Sequence, residues 1–115
     1  MSKRPLDLLV EDNWEAIGKI ERYTEAMTQE AFEGDEKTID AVVRNLEIMG
    51  EAAARLPEDF IERSPEIEWY KIVGLRNRIV HEYFGVDLQI IWQILKKDLL
   101  DFKKSLGNIR SELKE

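Results

Sequence analysis

A chain of 115 residues suits one domain over 1–115, and 43% hydrophobic residues are enough to build a core. With 24 acidic and 17 basic residues the formal charge is −7, which argues against a general nucleic-acid coat protein, because nonspecific affinity comes mainly from phosphate neutralisation. The absence of cysteine removes disulfides, zinc–thiolate sites and cysteine nucleophiles, and fits a reducing, cytoplasmic setting.

The first segment, Met1-Ser2-Lys3-Arg4-Pro5, is followed by acids at Asp7, Glu11 and Asp12, too polar for a signal peptide or a membrane span. A helix is predicted from about Leu6 to Ala31, with Leu9, Asn13, Ile17, Ile20, Tyr23 and Met27 at helical spacing. Gly34-Asp35 reads as a turn. A second helix runs from about Glu36 to Leu56, lined by Ile39, Val42, Val43, Leu46, Met49, Ala53 and Leu56, and Pro57 closes it. Its end, Gly50-Glu51-Ala52-Ala53-Ala54, is small enough to let another helix approach closely.

Residues 58–67 hold a short turn or helix around Phe60 and Ile61, and Ser64-Pro65 reads as an N-cap followed by proline at the first helical position. The third long helix covers Pro65 or Trp69 to Phe84 and stops at Gly85. Asp87 is a candidate N-cap for the fourth, about 88–106, with a stripe of Ile91, Leu95, Leu99, Phe102 and Leu106; the tail from Gly107 extends the helix or frays. No segment alternates like a strand. The expected fold is all-α, an up-and-down bundle of four long helices plus a short one.

The third helix carries the chemistry-bearing residues. At about 100° per residue, Trp69, Val73, Val80 and Tyr83 fall near Arg76, with Ile72 and Ile79 flanking. An arginine in an apolar stripe needs acceptors, and Glu47 and Glu51 on the second helix are the candidate partners. Arg76 then reads either as a helix-packing ion pair or as a functional cation. A second stripe, Tyr70, Gly74, Asn77 and His81, follows at steps of four, three and four. Glycine inside a helix costs about 1 kcal/mol relative to alanine, so Gly74 implies close approach of another backbone or a ligand. The stripe is either a seam between two copies or a contact within one chain. His81, the only histidine, reads as a surface or capping residue or as a proton-transfer group, and it cannot form a metal site with other histidines. Neither an EF-hand, a Walker loop, a dinucleotide fingerprint nor a serine-hydrolase elbow is present, and no metal ligands or cofactor are predicted.

Arg76-x4-His81-x-Tyr83 resembles the R-x4-H-x-Y motif of HepT-like proteins, a branch of the HEPN superfamily. Leu46-Glu47-Ile48-Met49-Gly50-Glu51-Ala52-Ala53 is similar to the family's second-helix segment, Pro65-Glu66-Ile67-Glu68-Trp69 to its lead into the motif, and Gly74-Leu75-Arg76-Asn77 and His81-Glu82-Tyr83-Phe84 to the motif's flanks. The resemblance implies a small helical bundle, usually a homodimer whose motif helices meet, and metal-independent cleavage of RNA with Arg76 and His81 as the catalytic pair. It implies that Asn77 helps order that pair, that an MNT-type nucleotidyltransferase antitoxin is the partner, and that Tyr83 is the residue to which that partner transfers AMP.

Such chemistry needs a base for the 2′-OH, an acid for the leaving oxygen and positive charge on the transition state. Arg76 would hold the phosphate, with Arg78 and Lys71 adding local charge. Arg76 and His81 lie about 140° apart on an ideal helix, which suits a site composed of two chains better than one. The alternative is a non-catalytic helical module that binds a nucleotidyltransferase or a nucleotide through the same face.

Overall fold

The computed structural model describes residues 4–82 and 88–114, the side chains of 76–82 excepted. All regular structure among the described residues is helical: α1 (Leu6–Thr24), α2 (Gln29–Glu33), α3 (Glu36–Ala54), α4 (Glu58–Glu62), α5 (Trp69–Glu82), α6 (Leu88–Gln93) and α7 (Leu99–Leu113), the last two joined by a π-helical turn at Ile94–Asp98. The all-α expectation therefore holds, with three differences in the elements.

The first helix ends earlier than its periodicity predicts. The Thr24 hydroxyl donates to the Ile20 carbonyl, Glu25 is extended, and Ala26 adopts a left-handed φ of 61°. Thr28 then caps the separate α2, its hydroxyl accepting from the Ala31 amide at 3.1 Å. The break lets Phe32 enter the core against the Trp92 ring, 5.3 Å away, whereas Tyr23 stays exposed and Met27 only half-buried. Nothing in the sequence marks Ala26, since a left-handed residue is usually glycine or asparagine.

Ser64 does not cap the motif helix. Its hydroxyl donates back to the Phe60 carbonyl at 3.0 Å, closing the turn after α4, and α5 begins at Trp69. Asp35, by contrast, is a true N-cap: it accepts from the Thr38 amide at 3.1 Å and the Thr38 hydroxyl at 2.8 Å. Those two bonds, the amide first, hold its carboxyl below the usual carboxylate range.

The fourth helix contains the π-helical turn. Ile91, Leu95 and Leu99 recur at two successive steps of four, which drift off one face of a regular α-helix. The wider π turn absorbs that drift, so Ile91, Leu95, Leu99, Phe102, Leu106 and Ile109 are all buried. The helix runs on past Leu106 to Leu113. The expected stop at Gly85 and the expected N-cap at Asp87 lie outside the described residues.

The core sits on α3, which packs against both α1 and α5, while α7 packs on α1. Ile17, Ile20, Phe32, Val42, Leu46, Met49 and Leu106 have essentially no exposure. At the rim of α1 and α7, Lys103 and Arg110 lie over the Trp14 ring at 5.6 and 4.9 Å, and each also pairs with an acid of α1, Glu21 and Glu11 respectively. No helix among the described residues is long and apolar enough to cross a membrane.

Candidate active site on the motif helix

Trp69 fixes the start of α5. It is 3% exposed, lies 6.0 Å from the Phe60 ring and meets Phe102 edge-on at 5.6 Å. Two elements, α4 and α7, are thereby tied to the first residue of the motif helix, at the geometry aromatic pairs prefer. From there α5 runs unbroken to Glu82, so Arg76, Asn77, Arg78 and His81 all belong to one helix. Their side chains, and Tyr83 altogether, lie outside the described part.

The helix that packs against α5 is α3, and Gly50, Ala52 and Ala53 of its small-residue end are buried. Glu47, half-buried, and Glu51, exposed, stand on that helix, which brings the two carboxylates expected to partner Arg76 to the neighbouring element.

On its other flank α5 borders a groove of about 550 Å³. Ile72, Leu75, Ile94 and Phe102 supply its apolar lining, and Glu66, Glu68, Asp98 and Asp101 surround it. Gly74 opens onto this groove, and a Cβ built there would meet no described atom within 4 Å. The glycine is therefore not explained by a tight contact among the described residues, one of the two alternatives its position left open. Sequence reasoning missed the groove, because Asp98 and Asp101 lie 24 and 27 residues beyond Gly74 and no local pattern links them to it.

Tyr70 is 71% exposed, and its hydroxyl donates to Glu68 Oε2 at 2.8 Å. Lys71 Nζ lies 3.0 Å from the same oxygen. The Lys71 bond, then the Tyr70 bond, lowers the Glu68 pKa, and the Glu68 carboxylate raises those of both neighbours. Lys71 is thus engaged by a carboxylate instead of adding free positive charge toward Arg76. The spacing of Glu68 and Lys71, one helical turn, was the available signal for that pair.

The model of the ribonuclease HepT-like family matches residues 14–109, a stretch that contains α3, the groove and the whole motif. The chain belongs to the HepT-like ribonuclease family. It is 41% identical over 101 residues to a probable ribonuclease HepT of Thermococcus cleftensis, covering 88% of this chain and 92% of that relative. A candidate RNase of Methanocaldococcus jannaschii is 35% identical over 116 residues, covering 97% and 96% of the two chains. A second protein of that organism, also designated a candidate RNase, is 36% identical over 106 residues, covering 92% and 97%. No solved structure gives a significant match. Family membership makes this HepT-like chain a ribonuclease and agrees with its all-helical fold.

Proposed function

We propose that this HepT-like chain is the toxin of a toxin–antitoxin pair, a metal-independent endoribonuclease acting through Arg76 and His81 as a cytoplasmic homodimer. The observation that carries the proposal is the placement of Arg76, Asn77 and His81 on one continuous helix, beside a helix bearing Glu47 and Glu51, in a chain of a ribonuclease family. Arg76 binds the scissile phosphate and offsets charge on the transition state, with Arg78 as a second cation. His81 transfers the proton, to or from the 2′-OH or the leaving oxygen, near the pH at which imidazole titrates. Asn77 orders the pair. Exposed Tyr70 and open Gly74 leave the seam predicted from Tyr70, Gly74 and Asn77 available to a second copy.

Tyr83 accepts AMP from an MNT-type nucleotidyltransferase, and the added charge and bulk repel RNA from the motif helix. Expression in cells tests the proposal. The wild-type chain is expected to arrest growth, His81→Ala to be harmless, and co-expression of a cognate nucleotidyltransferase to restore growth only while Tyr83 is present. A harmless wild-type chain, or arrest by His81→Ala, contradicts it.

A further inference from the structure

RNA is a polyanion, and a chain of net charge −7 repels it except where cations gather. The cations are not spread evenly. Residues 88–111 hold five, Lys96, Lys97, Lys103, Lys104 and Arg110, against two acids, Asp98 and Asp101. That stretch carries +3, and the rest of the chain carries −10.

Pairing divides these five cations. Lys103 and Arg110 are held by Glu21 and Glu11 of α1. Among the described residues no carboxylate pairs with Lys96, Lys97 or Lys104, and all three are exposed, Lys96 over the Trp92 ring at 4.5 Å. The two acids of the stretch line the groove beside α5. Asp101 stands within about one turn of both Lys97 and Lys104 and pairs with neither.

The outer side of α7 and of the π-helical turn before it is therefore a basic stripe on an acidic body. Lys97, Leu100, Lys104, Asn108 and Ser111 recur along it at steps of three, four, four and three, all exposed. Lys97 and Lys104 are two turns apart, about 10 Å along the axis. Lys37 and Arg55 on α3 are exposed and form no ion pair among the described residues either, but Lys37 lies between Glu33 and Asp40, and Arg55 between Glu51 and Glu58. Leu75 of α5 and Ile94 of the π-helical turn line one groove; Arg76 directly follows the first, and Lys97 lies three residues after the second. The stripe thus runs alongside the motif helix. The acids of the groove between them repel phosphates, which keeps a bound strand on the outer side.

We propose that Lys97 and Lys104, with Lys96, bind phosphates of the RNA strand outside the motif helix and hold that strand for cleavage. The proposal rests on the reading above that the chain cuts RNA through Arg76 and His81. Lysine ammonium groups are point charges without base-reading geometry, so the contact is to the backbone and independent of sequence. The lysines do not touch the reacting atoms. They bind ground state and transition state alike, so their loss raises KM and leaves kcat unchanged.

Binding is measured on His81→Ala protein with a labelled single-stranded RNA of mixed sequence, titrated at several salt concentrations. Adding Lys97→Ala and Lys104→Ala is expected to weaken binding about tenfold and to flatten the plot of log affinity against log salt by about 1.4, since each phosphate contact on a single strand contributes about 0.7. Lys97→Arg with Lys104→Arg is expected to restore both. Lys37→Ala with Arg55→Ala removes the same charge elsewhere and is expected to change neither. In the chain that retains His81, the stripe variant is expected to raise KM with kcat and melting temperature unchanged.

Unchanged affinity and slope overturn the proposal. An equal loss in the Lys37→Ala, Arg55→Ala chain overturns it too, because the effect is then one of net charge. Loss of neutralisation by a nucleotidyltransferase with RNA binding intact assigns the stripe to an acidic protein partner and also overturns it. Lysine-dependent binding in a chain whose cleavage survives His81→Ala contradicts the catalytic assignment alone, whereas His81-dependent cleavage with binding indifferent to the lysines contradicts the stripe alone.

Discussion

α3 and α5 pack against each other, yet they bury their side chains to very different degrees. α3 buries nine of its nineteen residues and is capped at its start by Asp35. Of the described side chains of α5, only Trp69 is buried; Ile72 to Leu75 are half-buried and Tyr70 is exposed. α3 is a packing element saturated by its own chain. The described first half of α5 is anchored at Trp69 and borders a groove and a glycine with open space.

The sharpest test of the contrast is truncation on the packing side. Leu46→Ala removes a side chain of no exposure and is expected to cost about 2–5 kcal/mol, read from denaturant unfolding. Ile72→Ala, half-buried beside the groove, is expected to cost clearly less in the same measurement. Equal losses would mean that α5 is packed as α3 is.

The converse is truncation on the chemical side. Arg76→Ala is expected to lower RNA cleavage by about 10²–10³-fold, the usual effect of losing one charge-stabilising donor at a transition state. If Arg76 were only a packing ion pair with Glu47 or Glu51, the unfolding midpoint would fall and the cleavage rate of folded protein would not.

Two smaller effects probe the scaffold alone. Ala26→Gly relieves a left-handed backbone at φ 61° and is expected to raise stability by up to about 1 kcal/mol, with activity unchanged. Asp35→Ala removes the cap of α3 and is expected to lower the melting temperature at neutral pH. The Asp35 carboxyl titrates lower in the folded chain than in the unfolded one, because Thr38 bonds to its charged form. Its stabilisation is therefore present above the unfolded carboxylate pKa and is lost as pH falls through the lower, folded value. The gap between wild type and variant should close below about pH 4. A gap independent of pH would contradict the cap.

The elements that sequence reasoning placed well are those whose signals are local. The α3 stripe from Ile39 to Ala53, the Asp35 turn and the stripe from Ile91 to Leu106 needed only periodicity and capping chemistry. The errors arose where a break carries no local signature or where a competing local bond replaced the expected one. Ala26 carries no turn signature, and the break there precedes the α2 that buries Phe32 against Trp92. Ser64 has the residue type of a cap but bonds backward to Phe60. The candidate site was legible as the run from Arg76 to Tyr83, because its residues are adjacent on one helix. The groove was not, since it joins Glu66 and Gly74 to Asp98 and Asp101 only through folding.

The most direct measurement is cleavage of total RNA in excess chelator by purified wild-type and His81→Ala protein. The account predicts cleavage by the wild type and a loss of about 10²–10⁴-fold in the variant, with its melting temperature retained. Intact cleavage by His81→Ala, or a wild-type activity abolished by the chelator, would contradict it.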